Sequence, residues 1–197
     1  MTGHTGLDES PIKNSEESQM LDMERILLIK DMPGFTPQIS RLVSMMNYAR
    51  FTTLNAVNDL SQDQLDYLVD SESNSIGALL LHIAAVEYAY QVSTFEKRKM
   101  NDEEISIWGP ALDLGKEGQE KIRGNELSFY LNKLDLVRNR TLELFKSVDD
   151  EWLQIEEKFW WDNQANHYFM WFHVVEDEIN HRGQIRIIRK RLSVRRI

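Results

Sequence analysis

The sequence predicts an all-α protein: a four-helix bundle with long connections and a flexible N-terminal leader. Three observations carry this. Four long segments repeat apolar residues at three- and four-residue intervals, as one face of a helix requires. No run of segments alternates with period two, so no sheet is expected. The chain of 197 residues, 42% hydrophobic and 28% charged, has the length and composition of one globular domain.

Residues 1–30 read as the leader, loosened by Gly3, Gly6, Pro11 and Asn14. Within it, Ser15 with Glu16 and Glu17 can cap a short helix to about Lys30, which Pro33-Gly34 would end. The bundle is placed over residues 31–197. Its first long helix begins after Thr36, with Pro37 where a missing N–H does no harm, and runs through Ile39, Leu42, Val43, Met46, Phe51, Leu54 and Val57. Leu60 to Leu68 reads as a connector with a short helical piece. Asn74-Ser75 is a good N-cap pair for helix two, with Ile76, Leu79, Leu80, Ile83, Val86 and Tyr90 as its apolar positions.

From about Lys99 to Gly124 the chain is punctuated by Trp108-Gly109-Pro110 and Gly115, and a loop is expected. Helix three covers about Asn125 to Val148, with Leu127, Leu131, Leu134, Val137, Leu142 and Phe145 inward. A polar and aromatic stretch, Asp149 to Trp161, leads to the last helix. That helix opens around Asn163 to Asn166 and continues to about Leu192.

Bulk properties narrow the function classes. A net charge of −9 argues against nucleic-acid binding, which rests on clustered positive charge. Arg182, Arg186, Arg189, Lys190, Arg191, Arg195 and Arg196 do crowd the C-terminus, where they favour the negative end of a helix dipole or form an anion patch. With no cysteine, the chain has no disulfide, no thiolate ligand and no cysteine nucleophile. Met1 to Gln19 lacks the apolar core of a signal peptide, and no 18-residue run is uninterruptedly apolar. A cytoplasmic protein without a membrane span is expected.

The chemistry gathers in His173-Val-Val-Glu-Asp177-Glu-Ile-Asn-His181-Arg-Gly-Gln184. His173, Asp177 and His181 are spaced by four and project within about 80° of one another on a helix. Met170, Val174, Ile185, Ile188 and Leu192 occupy the same sector, so the polar row faces the bundle. A buried carboxylate needs a partner, because desolvation otherwise costs several kcal/mol or neutralises it. A hydrogen-bonded core row would meet that need. So would one divalent cation shared by Asp177 and His181, with a third ligand from another helix. His82, the one histidine in the first three long helices, is the candidate. Glu178 points about 100° away from Asp177 and is expected at the surface. Glu87 lies near the apolar centre of helix two, either as a core acid or as a base or ligand contact. Phe159-Trp160-Trp161 and Tyr168, Phe169, Trp171 and Phe172 are read as core, subunit interface or pocket wall.

Two segments, Ser75-Ile-Gly-Ala-Leu-Leu-Leu-His82 and Glu178-Ile-Asn-His181-Arg-Gly-Gln184-Ile, resemble the DinB-like superfamily of metal-binding bundles. In that superfamily one histidine on helix two pairs with a C-terminal helix carrying an acid or histidine four residues before "His-Arg-Gly-Gln". The resemblance covers most of residues 31–192 and extends to Ala111-Leu112-Asp113-Leu114-Gly115. It implies a DinB-like four-helix bundle with one divalent metal held by His82, Asp177 and His181, and with His173 as a substitute ligand or outer contact. Many members carry histidine where this chain has Asp177, whereas the mycothiol-dependent maleylpyruvate isomerases carry glutamate. Two imidazoles and a carboxylate suit zinc or nickel, and also iron(II) or manganese.

By the same resemblance, a low-molecular-weight thiol of the bacillithiol or mycothiol type binds as metal-stabilised thiolate and attacks an electrophile. Gln184, one turn beyond His181, would hydrogen-bond a ligand or the thiol, and a homodimer through exposed helix faces is implied. The alternatives are a non-catalytic metal-binding or structural bundle, acting in stress response or association, and a metal-dependent hydrolase.

Overall fold

Pro37 opens helix α1 (Pro37–Val57) behind an extended Thr36, and the exposed N-terminal amides find their partner far along the chain. The Asp150 carboxylate accepts from the backbone N–H of Gln38 at 3.0 Å and of Ile39 at 3.2 Å, and from the Thr36 hydroxyl. An anion at that position also meets the positive end of the helix dipole. In the computed structural model, which describes residues 26–194, α1 is followed by α2 (Gln62–Leu65) and by α3 (Ile76–Tyr90), extended by a π-helical turn at Gln91–Phe95. Then come α4 (Asp102–Asp113), α5 (Gly115–Lys121), α6 (Leu127–Lys146) and α7 (His167–Val194). The four long helices α1, α3, α6 and α7 form the expected bundle. The leader lies almost wholly outside the described residues, as do Arg195 and Arg196; residues 28–30 are not helical.

Helix α3 is the axis. Ser75 caps it by accepting from the Ala78 N–H at 3.1 Å, and α4, α6 and α7 pack around it. Three partners leave little of its surface to water, so the run Ile76 to Glu87 is buried at every position except His82. Ile76–Phe95 is long and apolar enough to cross a membrane, yet here it is the core helix of the bundle.

Two expectations are overturned. The region from Lys99 to Gly124 is not a loop but carries α4 and α5. A capping box starts α4: the Asn101 side chain accepts from the Glu104 N–H at 2.9 Å and Glu104 accepts from the Asn101 N–H at 2.8 Å. Tyr88 donates to Glu104 at 2.6 Å and its ring stacks on Trp108 at 5.1 Å. These contacts hold the helix against α3 although Pro110 lies within it. Nor is the chain free of strand: β1 (Glu156–Lys158) pairs antiparallel with β2 (Gln164–Asn166). Strands of three residues are too short for an alternation to register in sequence.

Gly77 marks a close approach of α3 to Tyr130 of α6. A methyl group there would fall 2.5 Å from the Tyr130 hydroxyl and 2.7 Å from its ring, and that ring is fully buried. Gly77→Ala is therefore expected to destabilise the fold by about 1–3 kcal/mol, as overpacked cores do, despite alanine's better helix propensity. Urea denaturation checks this; an unchanged or raised midpoint would contradict it.

Across the bundle centre, each long helix contributes one charge: Arg50 from α1, Glu87 from α3, Arg138 from α6 and Glu178 from α7, all buried. Arg50 Nε donates to Glu178 at 2.9 Å and Arg138 Nε to Glu87 at 2.8 Å. The Nη2 nitrogen of each arginine reaches both Glu87 and Glu178 at 3.1–3.4 Å. Arg50 also donates to the Leu134 carbonyl and Arg138 to the Met46 carbonyl, each at 3.0 Å, linking α1 and α6 in both directions. Burial raises the Glu87 pKa, but Arg138 and Arg50 outweigh it and hold the carboxylate below its usual range.

The expected surface position of Glu178 is thus wrong: it is 1% exposed. Because α1 and α3 both pack on α7, the buried arc of that helix is wider than its apolar stripe. Glu87, for its part, is a core acid of this cluster, not a group of the polar row.

Candidate metal centre

One residue from this cluster along α7, Asp177 and His181 face His82 of α3. The two histidine Nε2 atoms lie 3.6 Å (His82) and 3.3 Å (His181) from Asp177 Oδ1, and the three atoms fall within 4.8 Å of one another. The side chains are partly buried, between 12% and 14% exposed, so they keep some contact with solvent. The His82 and His181 rings meet edge to face at 4.5 Å.

Local structure sets which atoms point inward. His82 Nδ1 lies 2.8 Å from the Ala111 carbonyl of α4, so that nitrogen carries the proton and the Nε2 lone pair faces the group. Nothing in the sequence signals Ala111's part, since Gly109-Pro110 beside it predicts a loop.

These contacts do not satisfy the polar atoms. At 3.6 Å the His82–Asp177 separation is too long for a hydrogen bond. The buried Asp177 Oδ2 and His181 Nδ1 have no hydrogen-bond partner. Ligands about 2.0–2.1 Å from a tetrahedral ion are themselves spaced by about 3.3–3.4 Å, close to the 3.6 Å and 3.3 Å between Asp177 Oδ1 and the two histidines. Two neutral imidazoles and one carboxylate are also the donor types such an ion takes. The residues fit a divalent cation.

Electrostatics agree. Burial disfavours the charged form of His82, but Asp177 overcomes it and raises the imidazole above its ordinary value. Burial likewise opposes the Asp177 charge, and His181 and His82 outweigh it, holding the carboxyl well below the usual range. The site is thus built to keep its acid ionised.

The mycothiol-S-transferase family profile matches residues 41–193, more than three quarters of the chain. The chain belongs to the mycothiol-S-transferase family. No curated protein matches it. Mycothiol-S-transferases are metal-dependent DinB-like enzymes that transfer mycothiol to electrophiles, and the match contains all three residues of the group. The DinB-like resemblance and the transferase class read from the sequence hold.

The other sequence candidates fall elsewhere. His173 is not in the three-residue group; its Nδ1 pairs with Glu176 at 2.9 Å and its ring meets Trp160 edge-on at 4.5 Å. Gln184 is exposed one turn beyond His181. Of the basic residues, Arg189 donates to the Ala56 carbonyl at 2.9 Å and Arg182 to the Thr52 hydroxyl, fastening α7 to α1. Trp171 is core, whereas Trp160, Trp161, Phe169 and Phe172 are exposed.

Two cavities adjoin this aromatic region and share Phe159 and Trp160 as a wall. One, of about 480 Å³, is lined mainly by apolar groups including Tyr90, Val92, Met100 and Ile105. The other, of about 510 Å³, lies along the β-hairpin. Tyr90, an apolar position of α3 by its spacing, lines the first cavity and lies near enough to Asp177 to feel its charge. Burial, with Asp177 and Glu176 adding negative charge, raises its phenol well above the ordinary range, so it is a neutral hydrogen-bond donor. Its spacing of eight from His82 places both on one side of α3, a signal present in the sequence.

Proposed function

We propose that this protein transfers mycothiol to an electrophile, with His82, Asp177 and His181 holding the divalent cation. The observation that carries the reading is the convergence of these three donor atoms, two of them on residues with an unpartnered buried polar atom, within the matched family region. A cation held there supplies Lewis acidity, which lowers the pKa of the cosubstrate thiol and keeps its sulfur nucleophilic near neutral pH. In the transfer the thiol loses its proton, a sulfur–carbon bond forms, and the electrophile's leaving group or ring oxygen departs with the electron pair.

The chain's own residues perform the remaining tasks. Ala111 fixes the His82 tautomer, and Asp177 provides the negative charge. The Tyr90 phenol is placed to donate to the electrophile or its leaving oxygen. Gln184 is the proposed polar contact for the thiol. Zinc and nickel are the proposed ions, ahead of iron(II) and manganese; the cytoplasm is the proposed compartment and a homodimer the proposed assembly. His173 acts as a wall residue between the site and Trp160.

The test is consumption of a haloalkyl or epoxide electrophile by chelator-stripped and zinc- or nickel-reconstituted protein, with and without mycothiol. Turnover is expected only with both metal and thiol. Turnover without thiol would replace this reading by hydrolysis, and no turnover under any condition would leave a non-catalytic bundle. Metal affinity should climb as pH rises through the histidine range, since a cation must displace the proton that Asp177 stabilises on His82. Zinc titrations at pH 5.5 and 7.5 (about one unit either side of an ordinary histidine) measure that slope; a flat response would count against His82 as a ligand.

A further inference from the structure

The cavity along the β-hairpin joins aromatic faces to polar side chains. Its walls are three aromatic faces, Trp160, Trp161 and Phe169, with Phe159 behind them, and a set of polar side chains from the hairpin. The register Glu156↔Asn166 and Lys158↔Gln164 puts Glu156, Gln164 and Asn166 on one face of the two strands, all three lining the cavity. Asn166 spends its carbonyl oxygen on the Phe169 N–H at 2.9 Å, which leaves its amide hydrogens to face outward. Among the described residues, Gln164 and Glu156 have no side-chain hydrogen bond.

The aromatic exposure is costly and held deliberately. Trp161 is 87% exposed, and Trp160 and Phe169 are 44% and 45% exposed. Trp161 and Asp162 both adopt left-handed backbone conformations, at φ 53° and 59°. Two consecutive non-glycine residues in that region cost on the order of 1–3 kcal/mol each. They form the tip that turns the Trp161 ring outward. Flat aromatic faces beside uncharged amide donors and acceptors and one carboxylate match a particular ligand chemistry. The apolar C–H face of a sugar or cyclitol ring stacks on the indoles while its ring of hydroxyls takes the amides and carboxylate.

The cavity also lies at the right place. Trp160 meets His173, which is four residues, or about 6 Å along the α7 axis, from Asp177. A thiol whose sulfur sits at the His82/Asp177/His181 group would run along α7 past His173 to the hairpin.

We propose that the hairpin cavity is a glycoside subsite, in which Trp160, Trp161 and Phe169 stack on, and Glu156, Gln164 and Asn166 hydrogen-bond, the polyhydroxylated rings of the thiol cosubstrate. This deepens the transferase reading and rests on it for the ligand, since mycothiol carries its cysteine on a glucosaminyl-inositol. The apolar cavity across the Phe159–Trp160 wall is left for the electrophile. Selectivity for this thiol over a bare cysteine derivative then comes from the hairpin rather than from the polar group that binds sulfur.

The experiment compares affinities of the zinc-loaded protein for mycothiol and for N-acetylcysteine, which keeps the thiol and lacks the rings, by calorimetry. Wild type and Trp161→Ala are measured; Trp161 is so exposed that its loss leaves the core intact. Wild type is expected to prefer mycothiol, and the ratio of the two affinities should fall by about tenfold or more in the variant, the usual scale for losing one aromatic stack. A second measurement titrates glucosaminyl-inositol, with no thiol, against the intrinsic tryptophan fluorescence of wild type and Trp161→Ala. Saturable quenching that weakens in Trp161→Ala supports the subsite even if no electrophile is ever turned over, in which case only the transferase reading falls. Equal affinity for both thiols in wild type, or an unchanged ratio in the variant, would overturn the subsite while leaving the transferase reading in place. Conversion of a dimer to a monomer by Trp161→Ala with the ratio unchanged would reassign the aromatic tip to self-association.

Discussion

Glu178→Ala is expected to destabilise the protein by about 3–5 kcal/mol, the cost of leaving a buried charge without its partner. The central cluster holds two guanidiniums and two carboxylates and is neutral as it stands. Removing one carboxylate strands a positive charge between Arg50 and Arg138, and among the described residues Glu178 alone accepts the Arg50 Nε proton. A polar surface residue would cost within about 0.5 kcal/mol when truncated, so the outcome discriminates sharply. Denaturant unfolding of wild type, Glu178→Ala and Glu178→Gln measures it. Glutamine keeps the shape and some hydrogen bonding but not the charge, and should fall between the other two. A loss below about 1 kcal/mol would mean that the cluster is hydrated or rearranged rather than a buried lock among four helices.

Asp177→Asn should have the largest effect on function. The substitution keeps size and shape and removes only the charge, so the bundle is expected to fold. Changes to groups that merely orient metal ligands cost 10–100-fold in affinity, and loss of the sole anionic donor should cost about 100-fold or more. Mycothiol transfer should fall with it at limiting metal.

The metal-free protein gives a second readout. In wild type the raised His82 pKa adds stability that is fully present below the unfolded value near 6.5 and is lost as pH rises through the higher folded value. The lowered Asp177 pKa adds stability above its unfolded value near 3.8, lost only as pH falls through the folded value. In the asparagine variant the contribution of Asp177 is gone, and only the Ala111 and Leu112 carbonyls remain to favour the His82 charge against burial, so its pKa falls. The stability gap between the two proteins should therefore widen as pH falls from about 7.5 to 5.5. A gap independent of pH would mean that Asp177 and His82 do not interact.

Much of this was legible in the sequence, and the misses have physical causes. Periodic apolar spacing located α1, α3, α6 and α7 because each buries a continuous stripe. The convergence of His82, Asp177 and His181 was legible because residues at four-residue spacing share a helix face and only one histidine lies on the preceding long helices. Helix α4 was missed because Gly109-Pro110 outweighed the capping signal Asn101-Asp-Glu-Glu104, which the structure uses. Glu178 was misplaced because a helical wheel shows the apolar stripe of one helix, not how many neighbours pack on it. An acid is buried here only because arginines from two other helices arrive at the same point, and such long-range pairing leaves no local pattern. The hairpin was hidden by its brevity, and with it the alignment of Glu156, Gln164 and Asn166 beside the tryptophans.

The metal centre is tested most directly by elemental analysis of protein purified without chelator, beside His82→Ala and His181→Ala variants shown to be folded by circular dichroism. About one zinc or nickel equivalent per wild-type chain is expected, with neither variant retaining it after dialysis. Wild type that takes up no divalent ion on reconstitution, or variants that keep a full equivalent, would contradict the assignment of His82, Asp177 and His181 as the metal centre.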